Sequence, residues 1–172
     1  GSLLVVGGPG AGKSWLLRQF AAQRDKAGDA VLLLLAEEHN YVESLHELEE
    51  SLRTPAGIIP TLKAYTGAAK FLIIDSLDAL RAEASQRVFR QLIRQVHREL
   101  PEWIVIASIR SFDAKESFEL QRLFPPSGGE LTVLNARHIV VPVFNDSDFE
   151  EAKEQDVRLA PILSAASSSL RE

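Results

Sequence analysis

The run Gly7-Gly8-Pro9-Gly10-Ala11-Gly12-Lys13-Ser14 fits the pattern G-x-x-x-x-G-K-[ST] in full. Each residue type in it answers a need of phosphate chemistry. A loop that curls around phosphate oxygens must aim its backbone N–H groups inward. Glycines supply both the dihedral angles and the close approach that this requires. The helix that follows presents its N-terminus to the anion. Lys13 is expected to reach the β- and γ-phosphates, and the Ser14 hydroxyl to ligate Mg²⁺. A merely tight turn can be rich in glycine, but it has no need of Gly-Lys-Ser at this spacing between a buried strand and an amphipathic helix.

A second run supplies what such a loop lacks. Phe71-Leu72-Ile73-Ile74 followed by Asp75 is a buried strand that delivers a carboxylate at its carboxyl end, where open α/β sheets place their ligands. Asp75 would hold the metal directly or through water; alone, it could equally be a helix cap. Hydrolysis also needs a carboxylate to orient the attacking water. Ser76 follows Asp75 and cannot serve, so Asp78, three positions on, is the candidate, with an N-cap as its plainer role. Arg110, in Ser108-Ile109-Arg110-Ser111, stands at the tip of a strand and could stabilise charge on a transferred phosphoryl group. Its plainer role is a surface pairing with Asp113. Glu37 and Glu38 end another strand and are either alternative water-orienting groups or solvated loop charges. The four histidines, His39, His46, His97 and His138, lack metal-ligand spacing. His97 is expected to be a solvated helix residue, and Trp15 and Trp103 to be packing residues rather than base-stacking ones.

These groups must be positioned by an alternation of apolar runs and helical periodicity, the pattern of a mainly parallel sheet with helices on its faces. Strands are expected at Leu3–Val6, Val31–Leu35 (uninterrupted aliphatics, as in a strand buried on both faces), Phe71–Asp75, Trp103–Ser108 and Arg137–Val143. Helices are expected at Trp15–Ala27, with Leu16, Leu17, Phe20 and Ala21 on one face, then near Tyr41–Leu52, Pro60–Gly67, 83–100 and 116–124. Gly28-Asp29, Pro101 and the turn Pro125-Pro126-Ser127-Gly128-Gly129 punctuate them. From about residue 146 the pattern becomes wholly helical. Ser147-x-x-Glu150 reads as a capping box, Pro161 suits a first helical turn, and Leu159, Ile162, Leu163, Ala166 and Leu170 form an apolar stripe.

Composition removes several classes of function. With 172 residues, 45% hydrophobic and 25% charged, the chain is sized for one soluble domain with a proper core. It contains no cysteine, which excludes disulfides, thiolate nucleophiles and cysteine zinc sites. Nineteen basic against twenty-four acidic residues give a net charge of −5, so no broad nucleic-acid-coating surface and no direct nucleic-acid binding is indicated. No apolar run approaches the roughly 18–20 residues of a membrane span and no signal-type leader is present, so the expected location is cytoplasmic. Methionine is absent, including at position 1, and the chain is expected to be a segment of a longer protein.

The residues now in hand resemble the ATPase core of the STAND class, signal-transduction P-loop NTPases related to AAA+ and NACHT domains. Gly7–Ser14 carries the resemblance to the superfamily. The stretches Leu72–Leu80 (LIIDSLDAL) and Ile104–Asp113 (IVIASIRSFD), with Glu119–Pro125 (ELQRLFP) after them, carry the resemblance to the subgroup. It covers about residues 1–145, and the segment 146–172 is similar to the start of the class's helical lid. The resemblance implies a three-layer α/β/α fold with a mainly parallel five-stranded sheet in which strand 103–108 lies between the strands ending at Gly7 and Asp75. It implies ATP and Mg²⁺ as ligands, with catalytic roles for Lys13, Asp78 and Arg110 and metal roles for Ser14 and Asp75. No Asn/Thr-Lys-x-Asp motif for guanine follows the Asp75 strand, which also favours ATP. Ala79 stands where NACHT proteins often have another acid, which implies the slow turnover of a switch in a signalling or defence protein. Further domains of the parent chain and a homo-oligomer are the implied partners. Two alternatives stay open. One is a RecA- or KaiC-like ATPase, since Ala36-Glu37-Glu38-His39 resembles their strand-end glutamate. The other is a nucleotide-binding interaction module that does not hydrolyse.

Overall fold

Runs of branched aliphatics are stable as strands when helices cover the faces they present, and this chain sets such runs side by side in one sheet. The computed structural model describes residues 1–126 and 134–142. Within the unit Gly1–Val141 the elements are β1 (Leu3–Gly7), α1 (Lys13–Lys26), β2 (Ala30–Leu35), α2 (Leu45–Ser51), α3 (Ile58–Ala64), β3 (Lys70–Asp75), α4 (Glu83–Glu99), β4 (Trp103–Arg110), α5 (Ser111–Glu116), α6 (Phe118–Gln121) and β5 (His138–Val140). Single 3₁₀ turns follow β2 at Ala36–His39 and β3 at Leu77–Ala79. The strand order is β2-β3-β4-β1-β5, and every pairing is parallel. β4 therefore lies between β1 and β3, as the resemblance implies.

The period-two alternation of strand side chains sorts the core into two layers. Leu4 and Val6 of β1, Leu72 and Ile74 of β3, and Val105 and Ala107 of β4 face α2, α3 and α4. Val5, Phe71, Ile73 and Ile106 face the other way, onto Leu17 and Ala21 of α1. α4 supplies Val88, Phe89, Leu92, Ile93 and Val96, all buried, at the spacing of one helical face. It ends where Pro101 follows Leu100, whose N–H still donates to the carbonyl of Val96 at 2.8 Å. Among the described residues no helix is long and apolar enough to cross a membrane.

Several elements depart from expectation, each for a local reason. β2 is an edge strand, so only Ala30 and Leu34 are buried and Val31, Leu32, Leu33 and Leu35 are half-buried. α2 starts at Leu45, not Tyr41, because Ser44 caps it: its Oγ accepts the Glu47 N–H at 3.2 Å, while the Glu47 carboxylate accepts the Glu43 N–H at 2.8 Å. α3 begins at Ile58, two residues before Pro60, and ends at Ala64 as Tyr65 turns extended. Of the expected helix 116–124 only Phe118–Gln121 forms a helix of its own, Glu116 ending a separate short helix that begins at Ser111, and β4 runs on through Arg110. His97 is not solvated. Its Nε2 lies 3.0 Å from Ser2 Oγ and its ring meets Phe124 edge-on. Burial lowers its pKa from the usual histidine value. Trp103 packs, at 2% exposure, but Trp15 does not, at 65%. Ser127–Gly129, Val143 and the tail expected to be helical, with Ser147, Glu150, Pro161 and the residues from Leu159 to Leu170, lie outside the described residues.

Phe89 is fully buried under the sheet while Trp15 stands in solvent. Phe89→Ala should therefore destabilise the chain by about 3–5 kcal/mol, and Trp15→Ala by no more than about 0.5 kcal/mol. Urea unfolding of both variants measures this; equal losses would place Trp15 in the core.

Candidate functional site

The glycines of Gly7–Ser14 meet distinct constraints. Gly7 ends β1, and a Cβ there would lie 2.7 Å from the Val141 carbonyl oxygen and 3.2 Å from the Ala11 Cβ. Only a residue without a side chain fits. Gly10 and Gly12 take φ of 71° and 82°, the left-handed region. Gly12 is the N-cap of α1, and its carbonyl accepts the Leu16 N–H at 2.9 Å to open the helix. The loop thus turns directly from a buried strand into a helix of 14 residues whose first N–H groups face it. Lys13 Nζ donates to the carbonyls of Gly7 at 3.1 Å and Gly8 at 2.9 Å, which holds the ammonium over the loop.

At the end of β3 the carboxylate of Asp75 is almost fully buried. Its Oδ1 accepts a 2.6 Å hydrogen bond from Ser108 Oγ of β4. That same hydroxyl accepts the Ser76 N–H at 2.7 Å. Ser76 holds φ at 62°, unusual for a residue with a side chain, and this hydrogen bond fixes it there. Asp75 Oδ2 makes no hydrogen bond among the described residues. Ser108 is a positioning residue that sequence reasoning missed. The available signal was a lone hydroxyl inside the apolar strand Trp103–Ile109.

Asp78 and Arg110 are brought together. Asp78 Oδ1 accepts the Arg110 backbone N–H at 3.2 Å, and Oδ2 pairs with Arg110 Nε at 2.7 Å. The carboxylate is 8% exposed and the guanidinium 46%. Arg110 is therefore partnered by Asp78 rather than Asp113. In the β1–β4 register Arg110 stands opposite Gly7, and Ser108 opposite Val5. The loop, Asp75, Asp78 and Arg110 thus share the carboxyl ends of three adjacent strands. Glu37 and Glu38 are exposed on the turn after β2, which β3 and β4 separate from β1. That turn is anchored by His39, whose Nδ1 lies 2.9 Å from Ser51 Oγ, itself 2.9 Å from the Tyr41 hydroxyl. Burial lowers the His39 pKa from the usual value, with the Glu38 charge opposing.

Among the described residues no cluster of three His, Cys, Asp or Glu side chains could hold a metal by itself. The groups present suit Mg²⁺ all the same. A carboxylate with one free oxygen and a serine hydroxyl at a phosphate loop are what an ion that keeps water and phosphate oxygens as further ligands requires.

No protein-family model and no curated protein matches the chain. Its fold is similar to AMPPCP-bound DnaA from Aquifex aeolicus, with a TM-score of 0.57 and 20% identity over 89% of this chain and 43% of that one. It is also similar to the ORC1 protein of Aeropyrum pernix in complex with DNA, with a TM-score of 0.58 and 16% identity over 90% of this chain and 42% of that one. A DNA replication initiation factor gives a TM-score of 0.57 and 18% identity, over 90% and 44%. The chain spans less than half the length of each. With its five parallel strands and flanking helices, the chain has a parallel α/β fold that these three structures share.

Proposed function

We propose that this chain is the nucleotide-binding switch module of a larger protein, binding ATP with Mg²⁺ at Gly7–Ser14 and hydrolysing it slowly. One observation carries the reading: a complete phosphate loop, a buried carboxylate and an arginine converge on the carboxyl ends of β1, β3 and β4. That the similar DnaA structure is bound to AMPPCP supports a nucleotide as the ligand. Assignment to a signalling or defence protein of the STAND class rests on LIIDSLDAL and on IVIASIRSFD with the ELQRLFP that follows it. The chain's share of its structural neighbours' length supports further domains in the parent protein. A lid beginning near residue 146 and a homo-oligomer belong to the same proposal, as does a cytoplasmic location.

In this reading Lys13 gives a charge-assisted contact to the β- and γ-phosphates from its position over the loop. Ser14 and Asp75 would hold Mg²⁺, which would neutralise charge on the phosphate oxygens when bound. Arg110 acts as the discriminating group. Its guanidinium is half-exposed and can exchange Asp78 for a γ-phosphate, which ATP has and ADP lacks. The exchange would free Asp78 to orient water. Coupling the base to the release of an ion pair gives slow turnover, as a switch needs.

A second reading, a module that binds nucleotide without hydrolysis, is favoured by the same pair: both oxygens of Asp78 are engaged by Arg110.

Two measurements test these roles. Lys13→Ala removes one charge-assisted contact and should weaken ATP binding roughly 30- to 150-fold, about 2–3 kcal/mol; equal affinities by calorimetry with Mg²⁺ present would end the nucleotide reading. Asp78→Asn should lower turnover about 10²-fold or more while ATP affinity is kept or rises, because Arg110 is released from its carboxylate partner. Wild-type turnover in that variant would remove Asp78 from the reaction, and loss of turnover in Gln variants of Glu37 or Glu38 would move the role there.

A further inference from the structure

Trp15 is the third residue of α1, directly after Lys13 and Ser14. An indole is the largest apolar side chain, and one placed on a helix beside two leucines ordinarily packs. This one is 65% exposed and makes no hydrogen bond or ring contact among the described residues.

Its position on the helix says what it faces. Leu17 and Ala21 point at the sheet. At about 100° per residue, Trp15 is turned about 160° from Leu17, to the outer side of the helix. Helical Cα–Cβ bonds tilt toward the helix N-terminus, so the surface a residue covers lies over the preceding turn. For Trp15 that turn is the loop Gly10–Gly12. The loop is open at its tip, where a Cβ on Gly10 would meet nothing within 4 Å. The sheet side is closed, with Ala11 and Leu17 buried. Among the described residues, phosphates seated on the first N–H groups of α1 therefore leave the open outer side, beside the indole, to the ribose and base.

We infer that Trp15 is a nucleoside-contacting residue, its indole forming the wall against which the ribose and base of the bound nucleotide rest. The inference rests on the nucleotide reading of Gly7–Ser14 and divides that site into two parts. Lys13, Ser14 and the loop amides hold the phosphates; Trp15 makes the site one for a nucleotide rather than for a bare polyphosphate. Because every base has a π-face, stacking on an indole adds affinity without selecting a base.

The test compares ATP with inorganic tripolyphosphate, both with Mg²⁺, by calorimetry on the wild type, Trp15→Ala and Trp15→Phe. Trp15→Ala should weaken ATP roughly 5- to 150-fold, the range found for loss of one base–aromatic stack, and leave tripolyphosphate binding unchanged. Trp15→Phe should restore most of the ATP affinity. Wild-type tryptophan emission should shift with ATP and not with tripolyphosphate, the buried Trp103 staying silent in both. Equal loss for both ligands would make Trp15 a support of the loop and overturn the inference. No loss for either would leave it a surface residue and also overturn it, with nucleotide binding intact. Should the wild type bind neither ligand, the nucleotide reading falls and takes the inference with it.

Discussion

The site depends on one buried hydroxyl. Ser108 Oγ donates to Asp75 Oδ1 and accepts from the Ser76 N–H, so a single atom fixes how the ends of β3 and β4 meet. Neither the Asp75 carboxylate nor the Ser76 N–H has another hydrogen bond among the described residues to fall back on. Without the hydroxyl, the buried oxygen of Asp75 and the N–H of a left-handed Ser76 would both lack a partner, each at about 1–3 kcal/mol. With it, the carboxylate keeps one oxygen committed to the protein and the other free.

The position of β4 between β1 and β3 gives that hydroxyl its reach. Register sets Arg110 beside Gly7 on one side, and its N–H and guanidinium grip Asp78 on the other. The end of β4 therefore touches both the phosphate loop and the turn after β3. A ligand that draws on Arg110 must alter the pairing of Asp78. In the proposed switch these two groups are linked through one residue.

Much of this was legible in the sequence. Gly7–Ser14 could be read because its composition follows from backbone geometry within eight consecutive residues. Asp75 could be read because an aliphatic run with a terminal carboxylate is a local pattern. The place of β4 between β1 and β3 came from resemblance, since periodicity assigns elements but not neighbours. The Asp78–Arg110 pair could not be read. Its members are 32 residues apart, and Asp113 is closer in sequence to Arg110 than Asp78 is. Trp15 misled because Leu16 and Leu17 follow it, and an aromatic beside them has the look of core until the direction of the helix is known. His97 misled because its partner, Ser2, is brought beside it only when β1 docks on β4. The start of α2 was available in Ser44-x-x-Glu47, but Tyr41 and Val42 ahead of it mimic a helical face.

The central claim is that Ser108 holds Asp75 in place for a divalent ion at the phosphate loop. ATP affinity of Ser108→Ala, measured with and without Mg²⁺ and after confirming that the variant is folded, tests it most directly. The account predicts that metal-free affinity stays near the wild-type value while most of the Mg²⁺ enhancement is lost. A folded Ser108→Ala variant that keeps the full Mg²⁺ enhancement would contradict it.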